Sequence, residues 1–408
     1  MDTSHPILIY AELLSNIRQV SVGCSLRTPV SSSTRASISS DGQVLAVNHD
    51  GLETSLRLPG RVASIKQLPV QNRGTKNLSW RLPLARTLGH TVSSMQEGQT
   101  VPWSANDLQP ESHIACRTCR ATIVESGTIK EWKDLPSENW AEMMEFWHCH
   151  KPHDHGHGHN GDGLTTSKAY GASSRISAQS AIGFVDLTSF LLSEKDLSSG
   201  NVSTLEKRKG ISHDEAPENN DAHHSPDENL PLFCKTCNSQ VGVVNDQGTS
   251  VSLFKWQVHV NEQSHRNSGD LPELSQCVSA MLLATMARSG CSKSIILPLK
   301  TQVQRTEEVS QANETTNSVL NVWVFNSSIT FSSTEEARSP IRAVKVFYRM
   351  VTQAEADKLL DSMTSDVQDI YLPVDAIEKL INILGDSNHV LPQNDRQFKE
   401  WKVGLLEK

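Results

Sequence analysis

Apolar and polar positions alternate in short runs at intervals of about ten residues through the first part of the chain, a spacing typical of all-β lobes. Residues 7–30 (ILIYAELLSNIRQVSVGCSLRTPV) mix apolar and polar positions with β-branched side chains. Residues 43–65 continue in the same way, punctuated by Asp41-Gly42, Asp50-Gly51 and Pro59-Gly60. Asx-Gly and Pro-Gly pairs are turn signals, so the pattern predicts a β-sandwich or barrel-like lobe over residues 1–110. Asn77–Leu84 is a further strand with Trp80 and Leu82 on one face, and Ser31–Thr34 and Gln71–Gly74 are loops.

The period changes at Leu135-Pro-Ser-Glu-Asn-Trp140, a helix start with Ser137 as cap and Glu138 favourable to the dipole. Trp140, Met143, Met144 and Trp147 then fall at i, i+3, i+4 and i+7, one apolar stripe whose ordinary role is core packing. The helix delivers His148-Cys149-His150 at its C-terminal end. Residues 181–192 (AIGFVDLTSFLL) rejoin the fold, and Gln240–Val244 with Ser250–Val258 predict a hairpin. Further on, Leu274–Arg288 has helical spacing, while Ile295–Leu299, Val319–Phe325, Ser328–Phe331 and Ala343–Met350 read as strands. Helices are expected at about 352–363, 374–385 and 394–406, the last packing Phe398 and Trp401 (i, i+3) on a second sheet.

The expected fold is therefore α+β: a β-rich N-terminal lobe with zinc knuckles, followed by a smaller α+β C-terminal lobe. The segments expected are a lobe at 1–110, a knuckle and Trp helix at 111–150, and a His/Gly-rich loop at 151–168. A return to the fold at 169–192, a disordered insert at 193–229, a second knuckle hairpin at 230–270 and the C-terminal lobe at 271–408 complete the chain.

Composition sharpens this division. A chain of 408 residues exceeds what one compact core usually holds, and 37% hydrophobic residues is low for a wholly folded protein of that size. Residues 193–229 carry many charges and few large apolar side chains, too little to offset the entropy of ordering them. The tract His148–His159, with glycine at alternate positions, reads as a solvated loop; loose binding of divalent metal is the alternative. A net charge of -8 and a pI near 6.1 argue against a general nucleic-acid-binding surface, so RNA contact would go through a partner. No apolar run approaches the roughly 20 residues that span a bilayer, and the first residues lack a basic region followed by a long apolar core. The expectation is a soluble, intracellular protein with no membrane contact.

The chemistry concentrates in cysteines. Cys116-Arg-Thr-Cys119 and Cys234-Lys-Thr-Cys237 are CxxC pairs separated by 114 residues. Each pair can aim two thiolates at one metal ion, and the two together supply the four soft ligands of a closed structural zinc site. A redox CxxC and ordinary buried thiols are the alternatives, the former lacking a βαβ setting. A flexible insert lets the second pair return to the first, since doubling a loop's length costs only about 0.6 kcal/mol. Cys24, Cys277 and Cys291 read as core residues. Cys149 invites a sharper reading, a nucleophile carrying a thioester, because flanking imidazoles favour the thiolate and His150 can support it. The negative end of a helix dipole opposes that ionisation, and a metal ligand or structural thiol remain open readings.

Taken in order, Cys116-x-x-Cys119, LPSENW, Trp147-x-Cys149-His150 and Cys234-x-x-Cys237 resemble the HECT-like ubiquitin ligases that bind a ubiquitin-conjugating enzyme. The agreement in motif order covers roughly residues 110–255. The His-Gly tract and the acidic insert depart from the family pattern without touching the matched residues. The resemblance implies that Cys149 accepts ubiquitin from a conjugating enzyme and that transfer to a substrate lysine follows. It also implies an alternative, a non-catalytic module that binds and inhibits or escorts the endonuclease subunit of the pre-mRNA cleavage and polyadenylation machinery. Both place the protein in cytoplasm and nucleus. A metallohydrolase built on the histidine tract is set aside, because glycine-spaced histidines lack rigid support and an open coordination position.

Overall fold

The computed structural model describes residues 7–70, 74–85, 102–135, 178–204, 229–244, 249–260, 271–299, 318–336, 340–362 and 366–408. Among them the protein is β-rich, with twenty-two strands and three α-helices, so the helical share is smaller than an evenly mixed α+β fold would have. The chain divides into two compact units. One comprises Met1–Val101, Glu273–Leu299 and Ala312–Lys408, the other Pro102–Pro272 with Lys300–Gln311.

The chain begins in the first unit with β1 (Ile7–Leu14), β2 (Gln19–Leu26), β3 (Arg35–Ile38), β4 (Val44–His49), β5 (Leu52–Arg57) and β6 (Asn77–Pro83). In β2, Val20, Val22, Cys24 and Leu26 are buried while the residues between them are partly open, the period of a half-buried strand. β6 repeats the pattern with Leu78, Trp80 and Leu82. β3, β4 and β5 form their own three-stranded sheet. The predicted turn at Asp50-Gly51 closes its β4–β5 hairpin, with positive φ at both residues (50° and 81°) as a type I′ turn requires.

The second unit holds β7 (Ile114–Cys116), β8 (Thr122–Val124), β9 (Glu131–Asp134), β10 (Ile182–Val185), β11 (Ser189–Ser193), β12 (Val202–Thr204), β13 (Leu230–Cys234), β14 (Gln240–Val244), β15 (Ser250–Phe254) and β16 (Val258–Val260). Seven of these make a sheet in the order β12-β13-β14-β15-β11-β10-β9, and the other three a small sheet in the order β16-β7-β8. One core serves both sheets, with Ile114, Ile123, Phe190, Val241 and Leu253 fully buried. β14 and β15 pair antiparallel, the hairpin expected of Gln240–Val244 and Ser250–Val258, and β13 pairs with β14 on its other side. Lys255 is also fully buried in this unit, its Nζ donating to the carbonyls of Pro102 (2.5 Å) and Trp103 (2.9 Å), so its charge is carried on backbone dipoles.

The chain returns to the first unit through α1 (Leu274–Ser289), β17 (Lys293–Pro298), β18 (Ser318–Ser333), β19 (Ile341–Thr352), α2 (Gln353–Leu360), β20 (Val367–Leu372), α3 (Val374–His389), β21 (Gln397–Phe398) and β22 (Trp401–Glu407). The main sheet there has nine strands: β21-β22-β19-β18-β1-β2-β6 in sequence, with β17 paired to β18 and β20. β1 pairs antiparallel with β18, so strands from the first and last parts of the chain share one sheet. Alternation within a strand says nothing about its partner 300 residues away, which is why the pattern alone assigns these parts to separate lobes.

Two further expectations are corrected. Residues 394–406 are not a helix but a 3-10 turn followed by the β21–β22 hairpin. Phe398 and Trp401 are its closing pair around Lys399-Glu400, with Lys399 at φ 52°. An i, i+3 spacing of aromatics fits a helix face and a two-residue hairpin loop equally well. The expected disordered insert also starts too early. Residues 193–204 complete β11, make a 3-10 turn at Glu194–Asp196 and form β12. Buried Asp196 accepts from the Ser180 hydroxyl and the Ala181 amide, and Asn201 donates to the Thr122 carbonyl. Polar side chains that satisfy buried backbone groups give the same composition as a disordered stretch.

Candidate metal centre

Four cysteines far apart in sequence converge in the second unit. Cys116 ends β7 and Cys234 ends β13, and each strand runs into a tight turn that carries the second cysteine of its pair. The two turns are built alike. The Arg120 amide donates to the Cys116 carbonyl and the Asn238 amide to the Cys234 carbonyl, both at 2.9 Å. The Cys116 amide donates to Ala121 and the Cys234 amide to Ser239, at 2.8 and 2.9 Å. The residue after each second cysteine is left-handed, Arg120 at φ 64° and Asn238 at φ 63°. These matched turns are why one spacing in the sequence gives one geometry twice. Arg120 and Asn238 are residues that the CxxC pattern alone does not single out; Asn tolerates this conformation readily, whereas Arg carries a steric cost for it.

The sulfurs pair across the two turns: Cys116 Sγ lies 3.6 Å from Cys237 Sγ, and Cys119 Sγ lies 3.5 Å from Cys234 Sγ. All four lie within 4.8 Å of one another. A regular tetrahedron with metal–sulfur bonds of about 2.3 Å has edges of about 3.8 Å, so the donor set has the size of a four-thiolate metal site. Cys116 and Cys234 are buried, Cys119 and Cys237 half-buried. The electrostatics point the same way. Burial pushes the Cys116 thiol up, helped by the neighbouring sulfurs Cys237 and Cys234. Burial acts against ionisation of Cys237 as well, but hydrogen bonds from the Ser239 hydroxyl and amide and from Cys119 and Cys116 outweigh it and bring that thiol down. The four residues could hold a metal ion; the sequence-predicted ligand set is brought together in full.

The other predicted site residues fall elsewhere. Cys149 and His150 lie outside the described residues, as do the Trp140–Trp147 stripe and the His-Gly tract. Cys24 and Cys277 are buried as expected, while Cys291 is half-buried with its thiol on the Ser289 carbonyl. Among the described residues no helix is long and apolar enough to cross a membrane.

No solved structure matches the chain significantly, but proteins of known sequence do. An uncharacterized protein of Schizosaccharomyces pombe is 25% identical over 314 residues, covering 76% of this chain and 77% of that one. An uncharacterized protein of Saccharomyces cerevisiae is 21% identical over 342 residues, 82% and 80% of the two chains. A human protein named as an E3 ubiquitin-protein ligase is 22% identical over 384 residues, 87% of this chain and 86% of its own. The family described as HECT-like ubiquitin-conjugating enzyme (E2)-binding matches residues 12–403, a span that reaches from β1 to β22 and includes all four clustered cysteines. The chain is therefore a member of the HECT-like ubiquitin-conjugating enzyme (E2)-binding family.

Proposed function

We propose that this protein is a ubiquitin-protein ligase that takes ubiquitin from a conjugating enzyme as a thioester on Cys149 and passes it to a substrate lysine, on a fold stapled by one zinc ion. The observation that carries the reading is the family match over residues 12–403, together with a relative named as an E3 ubiquitin-protein ligase that covers 87% of this chain. The placement of six of the other seven cysteines narrows the choice to Cys149 and the half-buried Cys291. Cys116, Cys119, Cys234 and Cys237 face one another, Cys277 is fully buried, and burial pushes the Cys24 thiol up to about 12. Cys149 is the cysteine that the sequence flanks with two histidines.

In the proposed reaction the Cys149 thiolate attacks the carbonyl carbon of the ubiquitin thioester on the conjugating enzyme. That enzyme's cysteine leaves as thiolate, so one thioester is exchanged for another. A neutral substrate lysine amine then attacks the Cys149 thioester, the amine proton goes to a base, an isopeptide bond forms and Cys149 leaves as thiolate. Two acyl transfers replace one difficult step. His150 favours the thiolate between the two. Zinc is assigned because four thiolates in a closed tetrahedral set are the hallmark of a structural site with no open position for substrate. Its part is to hold β7 and β13 together.

The test is a non-reducing gel of the full chain incubated with charged conjugating enzymes. A thiol-sensitive ubiquitin adduct should form, and Cys149→Ala should abolish it without loss of zinc. An adduct that survives Cys149→Ala would remove the nucleophile assignment. Binding of conjugating enzymes with no adduct from any of them would replace the ligase by a non-catalytic binding platform.

A further inference from the structure

Each CxxC turn places its first cysteine, buried, at the end of a strand and its second, half-buried, in the turn itself. The sulfur contacts cross between the turns in a matching way. Cys116 meets Cys237 at 3.6 Å and Cys234 meets Cys119 at 3.5 Å, so each contact joins a buried first cysteine to a half-buried second one. The Ser239 hydroxyl accepts from the Cys237 thiol at 3.4 Å and donates to the Thr118 hydroxyl at 3.2 Å, which links the turns again.

Two sulfurs open to solvent, each with a buried sulfur behind it, are arranged for stepwise oxidation. An accessible thiol that attacks a peroxide oxygen becomes a sulfenic acid and releases water. The buried sulfur of the pair then attacks that sulfenic sulfur, the hydroxyl leaves as a second water with the thiol proton, and a disulfide forms. Each pair gives two electrons to one peroxide. The sulfurs have to approach by about 1.5 Å to reach the roughly 2.05 Å of a disulfide, a distance that side-chain rotation supplies.

We propose that the cysteine centre is a redox-reversible staple: hydrogen peroxide joins Cys116 to Cys237 and Cys119 to Cys234, the ion is released, and two crossed disulfides hold the turns in its place. Release of the ion rests on the zinc reading given above; the pairing rests on the sulfur contacts. With zinc bound, four thiolates, two peroxides and four protons give two disulfides, four waters and the free ion. The pairing decides the consequence. Cys116 ends β7 of the small sheet and Cys234 ends β13 of the larger one. Crossed disulfides keep those strands joined after the ion has gone, and reduction returns four thiols to one another's reach. Disulfides formed within each turn would tie each turn only to itself.

The full chain, as purified, is treated with hydrogen peroxide in small steps, and released zinc is read with a colorimetric chelator. Remaining thiols are alkylated in acid, and the disulfides are mapped by mass spectrometry without reduction. Arg117 and Lys235 stand between the cysteines of each pair, so trypsin separates all four and the two pairings give different peptide masses. The expected result is Cys116 linked to Cys237 and Cys119 to Cys234, about one zinc released for every two disulfides, and a melting transition of the cysteine unit that survives oxidation. Dithiothreitol with added zinc should reverse the linkage and restore the metal. Linkage within each turn, oxidation to sulfinic or sulfonic acids without disulfides, or zinc retained under excess peroxide would overturn the staple. If the purified protein carries no zinc, the metal reading fails, and the same peptide map still decides the crossed pairing by itself.

Discussion

The larger unit packs two sixteen-residue helices, α1 and α3, against β22 of its nine-stranded sheet, whereas the unit holding the cysteines has no α-helix among its described residues. Its core closes instead around Cys116 and Cys234, both fully buried among Ile114, Ile123 and Val241. Strands of three to five residues join its small sheet to its larger one, and short strands bury little apolar surface each. One region is held by many interchangeable contacts and the other by a few that act together. Truncations should therefore be graded in the first and close to all-or-none in the second.

The largest effect expected is that of Cys234→Ser. If the four cysteines hold zinc as proposed, it removes one of four ligands and should lose the ion, and with it free energy of the order of the roughly 10–16 kcal/mol that structural zinc supplies in small domains. Calorimetry should show the transition of the cysteine unit collapse while the other unit still melts cooperatively, and metal analysis should fall from about one equivalent to none. An unchanged melting curve in a metal-free protein would end the contrast between the units. Deleting residues 151–159 of the histidine tract should change neither quantity.

Leu380→Ala is the matching test in the other unit. Leu380 is fully buried on α3, and its truncation should cost about 2–5 kcal/mol with zinc content untouched. Loss of zinc in this variant, measured alongside the melting curve, would mean that the two units fold as one.

These residues differ in how far the sequence reveals them. Local alternation made β2, β4 and β6 legible, and the paired CxxC spacing singled out the four cysteines that cluster, because each depends on neighbours in the chain. What depends on distant partners was not legible. The pairing of β1 with β18 has no local trace. Phe398 and Trp401 satisfied a helix rule while closing a hairpin, and Asp196 and Asn201 carried the polarity of a loop while binding backbone groups of the core.

A smaller effect should follow Gly183→Ala, in the cysteine unit but away from the metal. A Cβ at Gly183 would stand 2.3 Å from the Trp132 ring, which packs edge-on to Phe190. The indole is rigid and its Nε1 is tied to the Gln109 carbonyl, so it must shift, at a cost of about 1–3 kcal/mol. If the metal governs this unit, the variant should still load zinc and show only a lower melting temperature. Complete loss of zinc would show instead that the aromatic packing, and not the ion, limits the unit's stability.

The smallest effect should come from residues 205–228, and it sharpens the boundary that composition misplaced. Leu205 and Ile211 are the large apolar residues in this stretch, against thirteen that are charged or histidine, so little burial is at stake. The stretch connects β12 to β13, which already pair with each other through Val202–Cys234 and Thr204–Leu232. Replacing it with about six Gly and Ser residues shortens a hairpin connection by two doublings, favourable by about 1 kcal/mol on loop-closure grounds. Stability should rise slightly or stay level, and zinc affinity should hold. Extending the deletion back to residue 196 should behave quite differently. It removes the Asp196 and Asn201 bonds and the buried Leu197 and Val202 beside Cys234, and the unit should unfold. The measurement is a pair of melting curves with metal analysis. Equal behaviour of the two deletions, whether both harmless or both destructive, would show that the fold does not end at Thr204.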